Sequence, residues 1–120
     1  MLGYITIGTN DLDRALGFHD ELFGVLGGKR LMQTGNGWIY GSDRPAIGIT
    51  KPYDGQAATA GNGNMAALAA SDRPTVDAVH AKALELGGTC EGAPGERMPG
   101  FYGAYFRDLD GNKFCVFKFG

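Results

Sequence analysis

The sequence contains one pattern of predicted secondary structure twice, and this repeat limits the available folds more than any other feature. Each half has a strand-like segment, a polar helix cap, an amphipathic segment and then a pair of glycines. The predicted caps are Asn10-Asp11 and Ser71-Asp72, and the glycine pairs follow Leu26 and Leu86. With the strand-like segments that come next, both halves are predicted to be β-α-β-β-β.

In the first half, alternating residues predict a strand over 2–8. Apolar residues at helical spacing predict a helix over about 11–26. Three short strands are predicted at 29–33, 37–41 and 46–50, with glycine- and proline-containing turns between them.

In the second half, a strand is predicted over 64–70, and a helix begins at Asp72. Strands are then predicted at 89–92, 101–107 and 113–119. The last two are the clearest, because an Asp-Gly-Asn turn joins an aromatic segment to an apolar one, which is typical of a β-hairpin.

The chain is predicted to be a single domain, as its length of 120 residues indicates. Its first module spans 1–53, a linker covers about 52–63, and its second module spans 64–120. Neither module can bury a sheet face alone, so we expect the two to pair in an α+β fold. Helices would cover one face of each sheet, and a cleft would lie on the other. The modules pair either within one chain or by exchange between two.

Alternation along the strands predicts which side chains face the helices and which face the cleft. The residues predicted to face the helices are Ile5, Ile7, Ala66, Leu68, Phe114 and Val116. Those predicted to face the cleft are Tyr4, Thr6, Met65, Ala67, Cys115 and Phe117.

Composition excludes several classes of function. With 13 acidic and 11 basic residues, the net charge is −2, which argues against nucleic-acid binding. No apolar run approaches the roughly 20 residues that span a bilayer, and no signal-peptide pattern occurs at the N-terminus, so we expect a cytoplasmic protein without membrane contact. The cysteines, Cys90 and Cys115, form no Cys-x-x-Cys motif and are expected to be free thiols.

Three segments resemble the vicinal-oxygen-chelate superfamily, which includes glyoxalase I, bleomycin-resistance proteins and extradiol dioxygenases. They are Tyr4–Ala15, Met65–Gly88 and Arg107–Asn112. Their order and spacing extend the resemblance over nearly the whole chain. The resemblance implies paired βαβββ modules, a cleft between two sheets and a homodimer.

The resemblance also implies where metal ligands would stand, on the first and last strands of the modules. Those four places hold Tyr4, Gly48, Met65 and Cys115. A catalytic divalent metal prefers imidazole and carboxylate ligands, which none of these residues supplies. We therefore predict neither a metal nor another cofactor, and we assign no catalytic residue.

A small-molecule site is predicted from aromatic residues that share strand faces. The alternative is that these rings only fill the space that a metal site would occupy. The segment 91–100 is predicted to be a long loop that covers the cleft and offers Arg97 to an acidic ligand; otherwise Arg97 is an ordinary exposed residue. The predicted ligand-binding set is Tyr4, Trp38, Tyr40, Met65, Arg97, Tyr102, Phe106 and Cys115.

The remaining reactive residues have structural interpretations beside functional ones. Cys115 is either a cleft nucleophile or a small buried apolar residue. His19 and His80 lie on predicted helices and are interpreted as core residues, and Asp108 and Asp110 as turn residues.

Three functions follow from this reading. The first is a metal-free protein that binds a small, partly aromatic or acidic molecule. The second is a glyoxalase-family lyase or dioxygenase-like enzyme that uses Cys115, Tyr4 or an unforeseen metal. The third is an interaction module whose pocket is filled by its own side chains.

Overall fold

The computed structural model describes residues 1–120 and contains two four-stranded sheets and two helices. The first module holds β1 (Ile5–Gly8), α1 (Leu12–Gly24), β2 (Lys29–Gln33), β3 (Gly37–Gly41) and β4 (Pro45–Thr50). The second holds β5 (Ala66–Ala69), α2 (Arg73–Glu85), β6 (Thr89–Met98), β7 (Phe101–Arg107) and β8 (Lys113–Phe119). The predicted α+β fold of two βαβββ modules is confirmed.

The two sheets have the same topology. The strand order is β1-β4-β3-β2 in the first sheet and β5-β8-β7-β6 in the second. In each sheet the strand before the helix pairs in parallel with the last strand of its module, and the other pairs are antiparallel. The repeat in the sequence is therefore a repeat in the structure.

The helices begin and end in the same way in both modules. The Asp11 carboxylate accepts from the Arg14 amide at 3.2 Å, and the Asp72 carboxylate accepts from the Thr75 amide at 2.8 Å. A glycine with positive φ follows each helix, with φ of 78° at Gly27 and 99° at Gly87. Both helices are 13 residues long, and neither has the length and hydropathy of a membrane span.

One hydrophobic core joins the two modules. Its 17 buried residues come from both helices and from strands of both sheets. Across the module boundary, the Phe114 ring on β8 lies 5.7 Å from the His19 ring and 6.3 Å from the Phe23 ring on α1. The helix-side faces of both sheets therefore pack into a shared interior.

The predicted alternation along β8 is confirmed. Phe114 and Val116 belong to the shared core, whereas Cys115 and Phe117 point to the other side of the sheet. We call that other side, in each sheet, the open face.

The turn between β7 and β8 also connects the modules. The Asn112 side-chain amide donates to the Gly8 carbonyl at 2.9 Å, and the Asn10 backbone amide donates to the Asp110 carboxylate at 3.0 Å. Asp108 is buried and accepts from the Asn112 amide at 2.9 Å. Both aspartates are turn residues, as predicted, and Asp110 also ties the second module to the start of α1.

The predicted lid over 91–100 is not a loop, and this is a correction. Strand β6 continues to Met98 and pairs with β7, with register shifts at Cys90/Gly92, Gly92/Gly95 and Glu96/Met98. Pro94 lacks a backbone donor, but β6 is the edge strand, where proline and bulges are tolerated. Arg97 therefore stands on a bulged edge strand.

Candidate functional site

The candidate site is the open face of the second sheet. Strand register defines its members, because residues directly opposite each other share a face. Tyr105 pairs with Cys115, Cys115 pairs with Ala67, and Gly103 pairs with Phe117. By alternation the same face carries Ala67, Phe101, Tyr105, Arg107, Lys113, Cys115, Phe117 and Phe119.

At the centre of this face, the Tyr105 ring lies between two cationic side chains. The Arg97 guanidinium carbon is 5.4 Å from the ring centroid, and the Lys113 ammonium is 5.7 Å from it. Neither cation forms an ion pair with a carboxylate in the structure. We call Arg97, Tyr105 and Lys113 the cationic cluster.

Gly92 on β6 makes room for this arrangement. A Cβ atom at this position would lie 3.0 Å from the Arg97 Nη2 atom and 3.1 Å from the Tyr105 Cδ2 atom. The Arg97 guanidinium also donates to the Ala93 carbonyl, which holds the side chain back along its own strand. The missing side chain at Gly92 thus lets the guanidinium approach the ring.

The neighbouring arginine on this face is already neutralised. The Arg107 guanidinium pairs with the Glu91 carboxylate and donates to the Gly111 carbonyl at 2.8 Å. Lys113 stands opposite Arg107 in the β7–β8 register. Arg97 and Lys113 are therefore the cations of the face that lack an acidic partner.

The Cys115 thiol is buried beneath the cationic cluster, with 1% of the residue exposed. Burial raises the pKa of Cys115, although Tyr105, Arg97 and Lys113 each act to lower it. Burial and the neighbouring Cys115 also raise the pKa of the Tyr105 hydroxyl. Both groups stay protonated near neutral pH, so Cys115 is a small buried filler and not an activated nucleophile.

An aromatic platform adjoins the cationic cluster; we define it as Phe101, Phe117 and Phe119. The rings of Phe101 and Phe117 are stacked, with centroids 5.6 Å apart and planes at 15°. Phe119 meets both rings edge-on, at 5.1 Å and 5.3 Å. Phe119 is 61% exposed and the adjacent Met98 is 58% exposed, so the platform is open to solvent.

A pocket of about 300 Å³ lies at the opposite end of this face. It is lined by residues 61–65 together with Arg107 and Lys113. Met65 therefore lies near Lys113 of the cationic cluster. Tyr4 precedes β1 in the first module and makes none of these contacts.

Two predicted site residues of the first sheet lie on its helix side. Tyr40 is 1% exposed, packs edge-on against Phe23 at 5.1 Å and donates to the Asp20 carboxylate at 2.6 Å. Trp38 shares that face, packs against the shared core and is covered by the Arg30 guanidinium at 5.3 Å. The prediction that both rings line the cleft is corrected.

The same correction applies in the second sheet. Tyr102 donates to the Asp77 carboxylate on α2 at 2.6 Å, and Phe106 is fully buried and stacks on Phe114 at 5.4 Å. Each pair does share a face, as predicted, but it is the face under the helices. The large rings fill the space between helix and sheet, and the tyrosine hydroxyls donate hydrogen bonds to carboxylates on the helices.

Sequence reasoning missed Tyr105, Lys113 and Phe101 as site residues. The signal was present in the predicted hairpin, because a turn centred on Asp110 places Tyr105 opposite Cys115. Lys113 and Cys115 then share a face by alternation. Arg97, Met65 and Cys115 are the predicted site residues that the structure places around this face.

The four places that would hold a metal do not fit one. Gly48 has no side chain, and a Cβ there would meet Thr6 at 3.0 Å and Ile39 at 3.6 Å, so apolar atoms occupy the space of a ligand. Cys115 could supply only one thiolate, and phenol and thioether groups are poor ligands for a catalytic divalent ion. The structure contains no group of three or more His, Cys, Asp or Glu side chains able to hold a metal.

Comparison with solved structures shows the same fold in several proteins. A glyoxalase/bleomycin resistance protein from Albidiferax ferrireducens T118 is 40% identical over 98% of this chain and 97% of its own, with a TM-score of 0.89. A glyoxalase from Bacillus halodurans, described as putative, is 23% identical over 98% of this chain and 94% of its own, with a TM-score of 0.78.

A third structure is more distant in sequence. The glyoxalase/bleomycin resistance protein/dioxygenase family enzyme from Burkholderia phytofirmans PsJN is 19% identical over 96% of this chain and 95% of its own, with a TM-score of 0.79. A comparison with curated proteins gives no significant match.

The family model described as a glyoxalase-like domain matches residues 4–117. That range includes both modules and nearly every strand residue. The match agrees with the paired βαβββ topology and with the neighbouring structures. The chain therefore belongs to the glyoxalase-like domain family, within the vicinal-oxygen-chelate superfamily.

Proposed function

We propose that this protein binds a small, flat, anionic molecule on the open face of the second sheet. The observation that carries the proposal is the cationic cluster. Arg97 and Lys113 flank Tyr105 without acidic partners, directly beside the aromatic platform. An aromatic carboxylate combines the charge and the ring that this arrangement suits.

The two parts of the site have different roles. Burying about 100 Å² of a ligand ring on the platform contributes about 2.5 kcal/mol, at about 25 cal/mol per Å². An exposed ion pair to Arg97 contributes about 1 kcal/mol or less. The platform therefore supplies most of the affinity, whereas the cations select an acid over its neutral analogue and orient it.

The proposal includes a homodimer. Within one chain Phe119 and Met98 stay exposed, so no segment of the chain covers the platform. On the open face of the first sheet, Met32 is likewise 48% exposed. A second copy that covers these residues would enclose the ligand and would bury an apolar surface unusual for a monomer. A cytoplasmic location remains a prediction from the sequence.

Binding is tested with 1-naphthoate and its neutral amide, 1-naphthamide. We expect the acid to raise the melting temperature of the protein and the amide to raise it much less, because a ligand that binds the native state stabilises it. Titration calorimetry then gives the two affinities.

Variants show where the ligand binds. Arg97→Gln and Lys113→Gln are each expected to weaken 1-naphthoate binding about fivefold, the equivalent of about 1 kcal/mol. Lys118→Gln is the matched control, because Lys118 lies on the same strand and pairs with Tyr102 on the opposite face. Equal binding of acid and amide, or no loss in either variant, contradicts the proposal. Absence of binding by both probes favours an interaction module.

A further inference from the structure

The second cysteine lies outside the open face, next to a histidine. Cys90 is exposed on the edge strand β6 and pairs with Phe106, so its side chain is on the helix side of the sheet. The His80 Nε2 atom on α2 lies 3.3 Å from the Cys90 Sγ atom. The helix and the edge strand thus bring an imidazole and a thiol into hydrogen-bond contact at the surface.

The histidine is held firmly in place. His80 is 7% exposed, and its neighbours on the inner side of α2, Val76, Val79 and Ala83, are completely buried. The hydrogen bond with Cys90 is the one that the His80 ring makes. A buried imidazole is therefore aimed at an accessible sulfur.

The surroundings favour a neutral imidazole that can accept a proton. Burial lowers the pKa of His80, although Asp77 one turn earlier on α2 acts in the opposite direction. Asp77 accepts a hydrogen bond from the Tyr102 hydroxyl, and Glu91 beside Cys90 is paired with Arg107. Both carboxylates near the pair are thus engaged with other groups.

The two thiols of the chain differ in solvent access and in contact with an imidazole, and both properties affect thiol reactivity. Cys115 is 1% exposed and has no imidazole beside it, whereas Cys90 is exposed and in contact with His80. Thiol reactivity requires access and a group that takes up or balances the thiol proton. The difference provides a control within the same protein.

We propose that Cys90 is a site of reversible thiol modification, which forms a mixed disulfide with low-molecular-weight disulfides, and that His80 assists as the base. The Cys90 proton passes to His80 Nε2, and the thiolate attacks one sulfur of the reagent. The reagent S–S bond breaks as the Cys90–S–S–R bond forms. The departing thiolate takes the proton from His80, so Cys90 is oxidised and one half of the reagent is reduced to a thiol.

The test uses 4,4′-dithiodipyridine, a neutral disulfide, with the release of thiopyridone followed by absorbance. We expect one fast equivalent from the native protein and a mass increase on the peptide that contains Cys90. Cys90→Ala removes the fast equivalent, whereas Cys115→Ala retains it. A fast equivalent that depends on Cys115 would overturn the proposal.

The role of His80 is tested by the pH profile. His80→Gln keeps a polar side chain and is expected to slow the reaction about tenfold near neutral pH, because the base that takes up the thiol proton is removed. The difference should shrink as the pH rises past about 8.5, where an unassisted thiol ionises by itself. Equal rates for the variant and the wild type at every pH would refute a role for His80.

If the His80 variant fails to fold, the reaction rate of Cys90 in the wild type still tests the proposal. Cys90 in the native protein should react faster near neutral pH than the thiol of N-acetylcysteine under the same conditions. A rate equal to or below that of the free thiol contradicts an activated cysteine.

Discussion

The Asp108 carboxylate of the second module lies 3.4 Å from the His19 Nε2 atom of the first, and both side chains are 1% exposed. The other ring nitrogen, Nδ1, contacts the Ala15 carbonyl oxygen at 2.8 Å. Nε2 is within ion-pair distance of Asp108 but is not aligned for a hydrogen bond. Two modules that repeat each other in sequence are thus joined by a contact that is not repeated.

Replacing Asp108 should cost more stability than replacing any exposed acid. In Asp108→Asn the buried pair with His19 is broken, and we expect a loss of about 3 kcal/mol in the free energy of unfolding. Urea denaturation measures this loss. Asp43→Asn is the control, since Asp43 is exposed and its carboxylate accepts one hydrogen bond, from the Ser42 hydroxyl. A similar loss in both variants would contradict the assignment.

Acid should remove the advantage of the native aspartate. Burial acts to raise the pKa of Asp108, but the contact with His19 and the hydrogen bonds from Asn112 outweigh it, so the pKa lies below its usual value. A carboxyl with a lowered folded-state pKa stabilises the protein above its unfolded pKa, near about 4, and this stabilisation is lost as the pH falls through the folded value. Urea midpoints for wild type and Asp108→Asn should therefore begin to converge as the pH falls below about 4, and should meet below the folded-state pKa. A constant gap down to the acid limit would count against this explanation.

A methyl group at Gly92 should disturb the ligand site more than the fold. In Gly92→Ala the new Cβ would press on the Arg97 guanidinium and on the edge of the Tyr105 ring. The guanidinium can swing away from Tyr105 because it is the end of a flexible side chain, and the ring has to shift by only a few tenths of an ångström. We expect 1-naphthoate affinity to fall about fivefold while unfolding free energy changes by less than about 1 kcal/mol. Calorimetry and urea denaturation measure the two effects.

Gly35→Ala is the matched control for this variant, because a Cβ at Gly35 meets nothing within 4 Å. Unchanged affinity in Gly92→Ala would show that the Arg97–Tyr105 contact is not part of the binding site.

Tyr40 should matter for stability and not for binding. Its hydroxyl donates to the Asp20 carboxylate at 2.6 Å beneath α1, so Tyr40→Phe should lower the free energy of unfolding by about 1 kcal/mol. Because Tyr40 lies on the helix side, 1-naphthoate affinity should stay within error of the wild type. A clear loss of affinity would mean that the helix-side assignment does not describe the binding protein.

Local patterns in the sequence predicted most of the fold. Helix caps at Asp11 and Asp72, the glycine pairs and the Asp-Gly-Asn turn are short-range signals, and each element they predicted is present. The sequence predicted strand β6 to be shorter than it is. Bulges around Gly92 and Gly95 allow an irregular segment to pair with β7, and a bulge interrupts the two-residue alternation from which strands are predicted.

The candidate site was predicted less well, since alternation separates two faces without saying which one meets the helices. Trp38 and Tyr40 were correctly placed together but on the wrong face. The choice depends on which face packs better against α1, where Tyr40 finds Phe23 and Asp20. Arg97 approaches Tyr105 through a gap at Gly92 that exists only once β6 has paired with β7.

The shared interior has a consequence for how the chain folds and for half-length versions of it. Phe114 of the second module packs against His19 and Phe23 of the first. Unfolding of one module would therefore expose core residues of the other. Heating should accordingly produce one cooperative transition for the whole chain. A truncated product of a single repeat would leave these rings in water and would have to recruit another copy to become compact.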